Sequence, residues 1–244
     1  MRRPNLALWT MTAVSFGTGA LDAATYLGMD GVFGANMTGN VILIALSIAG
    51  EGVHSFIGPA MALGGFVTGS WLLGLLARRH PKSAAPDRLV APVFGLCAAG
   101  MAIVTGLLVG TPIAGTLLHS ATFAIGLLMG FQAIAARRVG VTDISTVVIT
   151  STLSLLFSEA GKFWGGASSE ATRRRLAAVT SMLLGALAGA LLLKISLTAA
   201  LILPTTILTI VAAIYTAQFV TDRRRSRTQH PQTVALVHSG SSTG

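Results

Sequence analysis

Asp22 is the one carboxylate set well inside an apolar run of this chain, Leu6–Leu27. Burying an acid in hydrocarbon is costly, so it faces a bundle interior, as part of a solute or proton pathway or as a structural hydrogen bond of the protonated form. Soon after it comes Gly34-Ala35-Asn36-Met37-Thr38-Gly39-Asn40, directly before the apolar Val41–Ala49. Asn36, Thr38 and Asn40 are helix-capping types, and Gly39 permits close backbone approach. A helix starting there at membrane depth presents free amides and a partial positive charge to a solute, or else merely caps and packs a broken helix. A second polar start, Asp143-Ile144-Ser145-Thr146, leads into Val147–Thr152. Asp143 is an N-cap type, and Thr146, Thr150 and Ser154 recur at i, i+4 and i+8, which places hydroxyls on one helical face. Gln132 is the polar counterpart of Asp22 in the later part of the chain.

The elements that position these residues are membrane helices. Of 244 residues 52% are hydrophobic and 10% charged, with mean hydropathy +0.74. Soluble domains carry about 25% charge, so water is not the solvent for most of this surface. Long unbroken apolar stretches and few aromatic residues argue against an outer-membrane barrel. The lone cysteine, Cys97, excludes a disulfide framework. The net charge of +9 lies in short clusters between apolar runs, which writes membrane orientation rather than nucleic-acid binding. The partners expected are therefore the lipid bilayer and a small-molecule or ion solute, with no nucleic acid.

Six stretches reach the roughly 20 residues needed to cross: Leu6–Leu27, Phe56–Ala77, Leu89–Gly110, Ile113–Ala135, Leu176–Ile195 and Thr198–Thr221. Two more, Asn36–Ala49 and Ile144–Phe157, are too short to span comfortably. If both re-enter on the side they left, every Lys and Arg except Lys194 falls on one face; if both cross, fewer than half do. The rival in which only the second re-enters differs in the side of Arg2 and Arg3. An internal repeat decides for two re-entrant segments: Gly28 and Gly140, and likewise Thr38 and Thr150, lie 112 apart. Each half then reads span, short polar segment, span, span, and three spans per half put the halves in opposite orientation.

The expected fold is therefore all-α, a polytopic bundle of six spanning helices plus two short re-entrant helices in a 3+3 inverted repeat. A single membrane domain covers 1–221, with pseudo-repeats 6–110 and 113–221, and a disordered basic cytoplasmic tail covers 222–244. The start resembles a signal peptide, but its apolar run is long and carries Asp22, so it reads as a retained first span. Gly185 and Gly189 form a GxxxG spacing suited to close helix packing or a homodimer face. Zinc-protease, phosphate-loop and serine-hydrolase motifs are missing, so an enzyme is not expected, and neither a cofactor nor a metal site is called for.

Leu21-Asp22-Ala23, Tyr26-Leu27-Gly28, Val32-Phe33 and Ala35–Asn40 together resemble the N-terminal signature of the YoaK-type bacterial membrane proteins. Gly130-Phe131-Gln132-Ala133, Arg137–Val141 and Thr146–Thr152 resemble that family's second signature, with Ala133 where Asn is usual and Ser151 in place of the Gly of a Thr-Gly pair. The resemblance runs from about Leu6 to Thr221. It implies a multi-pass protein of the bacterial inner membrane with about six spans and brings no substrate with it.

The expected function is a small-solute transporter or permease whose midplane site is formed by the two half-helix starts: Asp22, Asn36, Thr38, Gly39 and Asn40 from one half, Gln132, Thr146, Thr150 and Thr152 from the other. Both termini are expected in the cytoplasm. A passive channel and a non-transporting membrane scaffold are the alternatives.

Overall fold

The structure is a computed structural model that describes residues 3–29, 31–50, 55–80, 87–111, 114–140 and 170–240. Among them the chain is all helix, in seven pieces: α1 (Arg3–Gly28), α2 (Met37–Ile48), α3 (Ile57–Arg79), α4 (Val90–Leu107), α5 (Gly115–Val139), α6 (Glu170–Leu193) and α7 (Leu197–Gly240). Five of these, α3 to α7, are long and apolar enough to cross a membrane. The 26 residues of α1 extend roughly 39 Å, long enough as well. Its lower hydropathy comes from Thr10, Ser15, Thr18, Asp22 and Thr25, all of which it buries inside the protein. The 12 residues of α2 cover only about 18 Å, short of a roughly 30 Å hydrocarbon core.

Local chemistry sets the helix ends. Asp87 fixes the turn leading into α4 by accepting a hydrogen bond from the Leu89 amide at 2.9 Å, and Ser196 caps α7 through the Ala199 amide at 3.0 Å. α5 stops at Gly140, whose φ of 78° is left-handed and suits glycine. The second short segment, Ile144–Phe157, lies outside the described residues, as do Asp143 and Glu51–His54. Where the composition after Thr221 predicts a disordered tail, the backbone instead continues as helix to Gly240. From Asp222 to His230 there is neither Gly nor Pro, so nothing in that stretch interrupts the helix.

Residue-specific contacts fix the directions of the helices. Gly185 and Gly189 of α6 lie flat against the Phe16 and Ala20 carbonyls of α1, so these helices run parallel. Gly65 and Gly69 of α3 lie the same way on the Phe123 and Leu127 carbonyls of α5, also parallel. α1 runs antiparallel to α7: Thr10 meets the Tyr215 hydroxyl at 2.8 Å, while Gly28 abuts Leu197 at the other end. α4 also opposes α7, through Thr105 to Thr205 at 3.2 Å and a Phe94–Tyr215 ring stack. Finally α4 opposes α5, with Cys97 Sγ on the Leu128 carbonyl at 3.3 Å and Asp87 on Arg138. Together these contacts make α1, α4 and α6 run one way and α3, α5 and α7 the other. α1 thus ends, and α3 begins, at the same face.

The glycine contacts carry a further regularity. The pairs on α1 and α6 and the pairs on α3 and α5 correspond residue by residue, with offsets of 107 for α1 to α5 and 120 for α3 to α6. Gly19 on the Met182 carbonyl matches Gly126 on the Ala62 carbonyl at the same two offsets. The uniform spacing of 112 expected from the sequence is not the spacing of these packed residues. The GxxxG pair at Gly185 and Gly189 is used inside the chain, against α1.

At the face where α3 and α5 end and α4 begins, Arg138 closes a clamp. Its guanidinium donates to both carboxylate oxygens of Asp87, at 3.0 and 2.8 Å, and to the Ala77 carbonyl at 2.9 Å and that of His80. One side chain thereby satisfies the orphan carbonyls ending α3 and holds the turn that leads into α4.

Candidate functional site

The site is built on the last third of α1. Thr18, Asp22 and Thr25 recur at helical spacing and are all buried, Asp22 with 6% of its surface exposed. After α1 the chain turns at Gly31, whose φ is 63°, and doubles back so that residues 32–36 lie against the helix they have just left. Three backbone amides then find side-chain acceptors on α1. The Gly34 amide donates to Thr25 Oγ1 at 3.0 Å, and those of Ala35 and Asn36 donate to Asp22 Oδ1 at 2.7 and 3.2 Å. Gly34 is required at this closeness, because a Cβ there would stand 2.9 Å from Leu21 Cγ.

The rest of the Gly34–Asn40 string holds the same turn. Asn36 is the N-cap of α2, its side chain accepting from the Gly39 amide at 3.3 Å. Asn40 is fully buried and clamps Phe33 from both sides: its Oδ1 accepts from the Phe33 amide at 2.9 Å and its Nδ2 donates to the Phe33 carbonyl at 2.7 Å. Gly39 makes room for the Phe33 ring, which a Cβ would approach to 2.5 Å, and that ring stacks on Tyr26 of α1 at 4.8 Å. Thr38 points outward and is exposed, as is Asn36.

The anion that the start of α2 would attract is therefore supplied from within, by Asp22. This relieves the opposition that the sequence presents, in which a helix dipole favours an anion and a carboxylate favours a cation. One valence of the acid remains. Asp22 Oδ2 is buried and has no hydrogen-bond partner among the described residues.

Gln132, the sequence-predicted counterpart, is buried on α5 with 5% exposure. It lines a cavity of about 10 Å³, room for one water, shared with Val14, Thr18 and Leu21 of α1 and with Pro204 and Leu208 of α7. Asp22 and Gln132 thus belong to adjoining regions of one bundle interior, joined by Thr18 and Leu21. Thr146, Thr150 and Thr152 lie outside the described residues. Thr25 belongs to the site although the motif alone does not single it out; the signal is its i+3 spacing from Asp22, one helical turn along the same face.

Comparison with known proteins gives the same extent. A family model described as "Protein of unknown function (DUF1275)" matches residues 10–214. The chain is similar to the UPF0700 transmembrane protein YoaK of Bacillus subtilis (strain 168), 28% identical over 167 residues that make up 65% of this chain and 67% of that protein. No solved structure matches.

Proposed function

Since the chain belongs to the DUF1275 family and is similar to a transmembrane protein, we propose that it is a small-solute permease of the bacterial inner membrane. It is built from two inverted three-span halves, each carrying a short segment that returns to the face it left. The observation that carries this reading is the pairing of the helices. Exchanging α1 with α5, α3 with α6 and α4 with α7 turns the α1–α6 contact into α5–α3 and the α1–α7 contact into α5–α4, and returns α4–α7 to itself. Every exchanged pair runs in opposite directions. The α6–α7 contact has no α3–α4 counterpart of like extent; the exchanges that do match support an internal symmetry of the kind on which many secondary transporters rock about a site near the midplane.

The basic residues agree with this orientation. Helix directions bring Arg3, Arg78, Arg79, Arg88, Arg137, Arg138 and Arg173–Arg175 to one face, together with the α7 segment that carries Arg223–Arg227. Lys194 stands at the other face. The positive-inside tendency makes the first face cytoplasmic, and both termini with it. Asp22, Asn36, Thr38, Gly39, Asn40 and Gln132 from the described residues, with Thr146, Thr150 and Thr152, form the substrate region in this reading. Because its amides are engaged by Asp22 and Thr25, solute recognition falls to the cavity side, around Thr18 and Gln132.

Counterflow in proteoliposomes tests the proposal. Vesicles preloaded with unlabelled solute should take up the labelled solute faster than empty ones, for at least one member of a broad panel of small polar metabolites and ions. Flux without that acceleration indicates a channel, and no flux across the whole panel defeats the transport reading.

A further inference from the structure

We infer that Asp22 is a proton-binding site, Oδ2 being the atom that takes the proton, and that its charge state sets how tightly the chain at 34–36 is held to α1. Asp22 spends only Oδ1 on the protein, accepting the Ala35 and Asn36 amides there, while Oδ2 is buried and unpartnered among the described residues. A bare carboxylate oxygen in this position has lost its water without gaining a partner, which a proton remedies by removing the charge. A metal ion is a poor occupant, because hard cations require about six or more oxygen ligands, and Oδ2 stands alone. The binding step balances simply: carboxylate plus proton gives carboxylic acid, the new O–H bond forms on Oδ2, and the local charge changes from −1 to zero. Oδ1 remains an acceptor, but the two hydrogen bonds it receives change from charge-assisted to neutral, about half as strong.

No opposing charge competes for this role. No ion pair reaches Asp22 among the described residues, and between Arg3 and Gly28 the one other ionisable side chain of α1 is the phenol of Tyr26, whose ring stacks on Phe33. α6 carries Glu170 and Arg173–Arg175 at its far end, and the exposed Lys194 follows its near end. α7 has no charge before Asp222, α2 has none, and α5 offers the half-buried His119 near its start and Arg137 and Arg138 at its far end. Asp30, in the turn, lies outside the described residues. If the chain is a permease, this inference makes the proton its coupling ion, and to that extent it rests on the transport reading; the site itself is tested without any flux.

Hydrogen exchange of the full chain in lipid vesicles, read on peptides covering 31–40 and corrected for intrinsic exchange, measures the grip directly. In the wild type, protection of the Ala35 and Asn36 amides should fall on the order of tenfold as pH is lowered, the change expected when two charge-assisted hydrogen bonds become neutral. Asp22→Asn should show the low protection at every pH, with peptides of α3 and α5 unchanged. If Asp22→Asn fails to fold, Asp22→Glu serves: it should keep the pH response with a moved midpoint. Protection independent of pH in the wild type, a pH response surviving in Asp22→Asn, or an unmoved midpoint in Asp22→Glu overturns the inference. So does protection that follows sodium rather than pH. A positive exchange result with no flux would defeat the permease and leave the proton site standing.

Discussion

Gly69→Val and Gly185→Val are each expected to abolish a stable fold in detergent or lower stability by about 3 kcal/mol or more, the upper range for overpacking. These glycines are not flexible points. Each lies in mid-helix with a neighbouring backbone carbonyl where its Cβ would be, Leu127 for Gly69 and Phe16 for Gly185. The obstacle is backbone, so no rotamer change relieves it, and the whole helix must move away. In a membrane, helix association depends on such close approach because lipid is as apolar as the helices. Gly74, Gly95 and Gly106 lie in helices of the same protein with nothing within 4 Å of the added atom. Their Ala variants should melt within a few tenths of a kcal/mol of wild type, once the gain in helix propensity is allowed for. Thermal unfolding of the five variants side by side checks the pattern, and equal loss at Gly74 and Gly69 would contradict the packing.

Arg138→Ala is expected to cost about 3–5 kcal/mol, the range for leaving a buried partner alone. Asp87 has 7% of its side chain exposed and Arg138 has 12%, so solvent has little access to either. Removing the guanidinium leaves the carboxylate with the Leu89 amide but without its counter-charge, and takes the donor from the carbonyls of Ala77 and His80 in the same step. Arg138→Lys should recover little, because an ammonium does not reproduce the forked contact. A double-mutant cycle with Asp87→Asn should show strong coupling, the double variant being less unstable than the sum of the singles. Additive losses would mean that the pair is a surface ion pair of small worth.

Much of this was legible in the chain. The six apolar stretches are long, and each falls on a helix, with ends that differ by a few residues except at the start of α6 and the end of α7, because hydrophobic length is what a bilayer demands. The short segment Asn36–Ala49 appears as α2, Met37–Ile48, with Asn36 as its cap as the residue types suggest. Asp22 and Gln132 are buried as polar residues within apolar runs should be. Three things were hidden. The glycine-on-carbonyl contacts correspond at an offset of 107 in one pair of helices and 120 in another, which a single shift of the sequence averages away. The engagement of the amides at 34–36 by Asp22 and Thr25 depends on the chain doubling back at Gly31, a long-range fact that helical periodicity does not contain. And helix beyond Thr221 runs through a segment whose composition, rich in Arg and Gln and then Ser, reads as a tail.

The claim on which the rest depends is that α2 does not cross, so that α1 and α3 run in opposite directions. Sidedness of single cysteines in intact cells tests it most directly, with fully buried Cys97 as a silent background. An impermeant thiol reagent added outside should label Ser55→Cys and Lys194→Cys but reach Asn5→Cys and His80→Cys only after the membrane is opened. Labelling of Asn5→Cys and Ser55→Cys from the same side would make α2 a crossing helix and contradict the inverted arrangement.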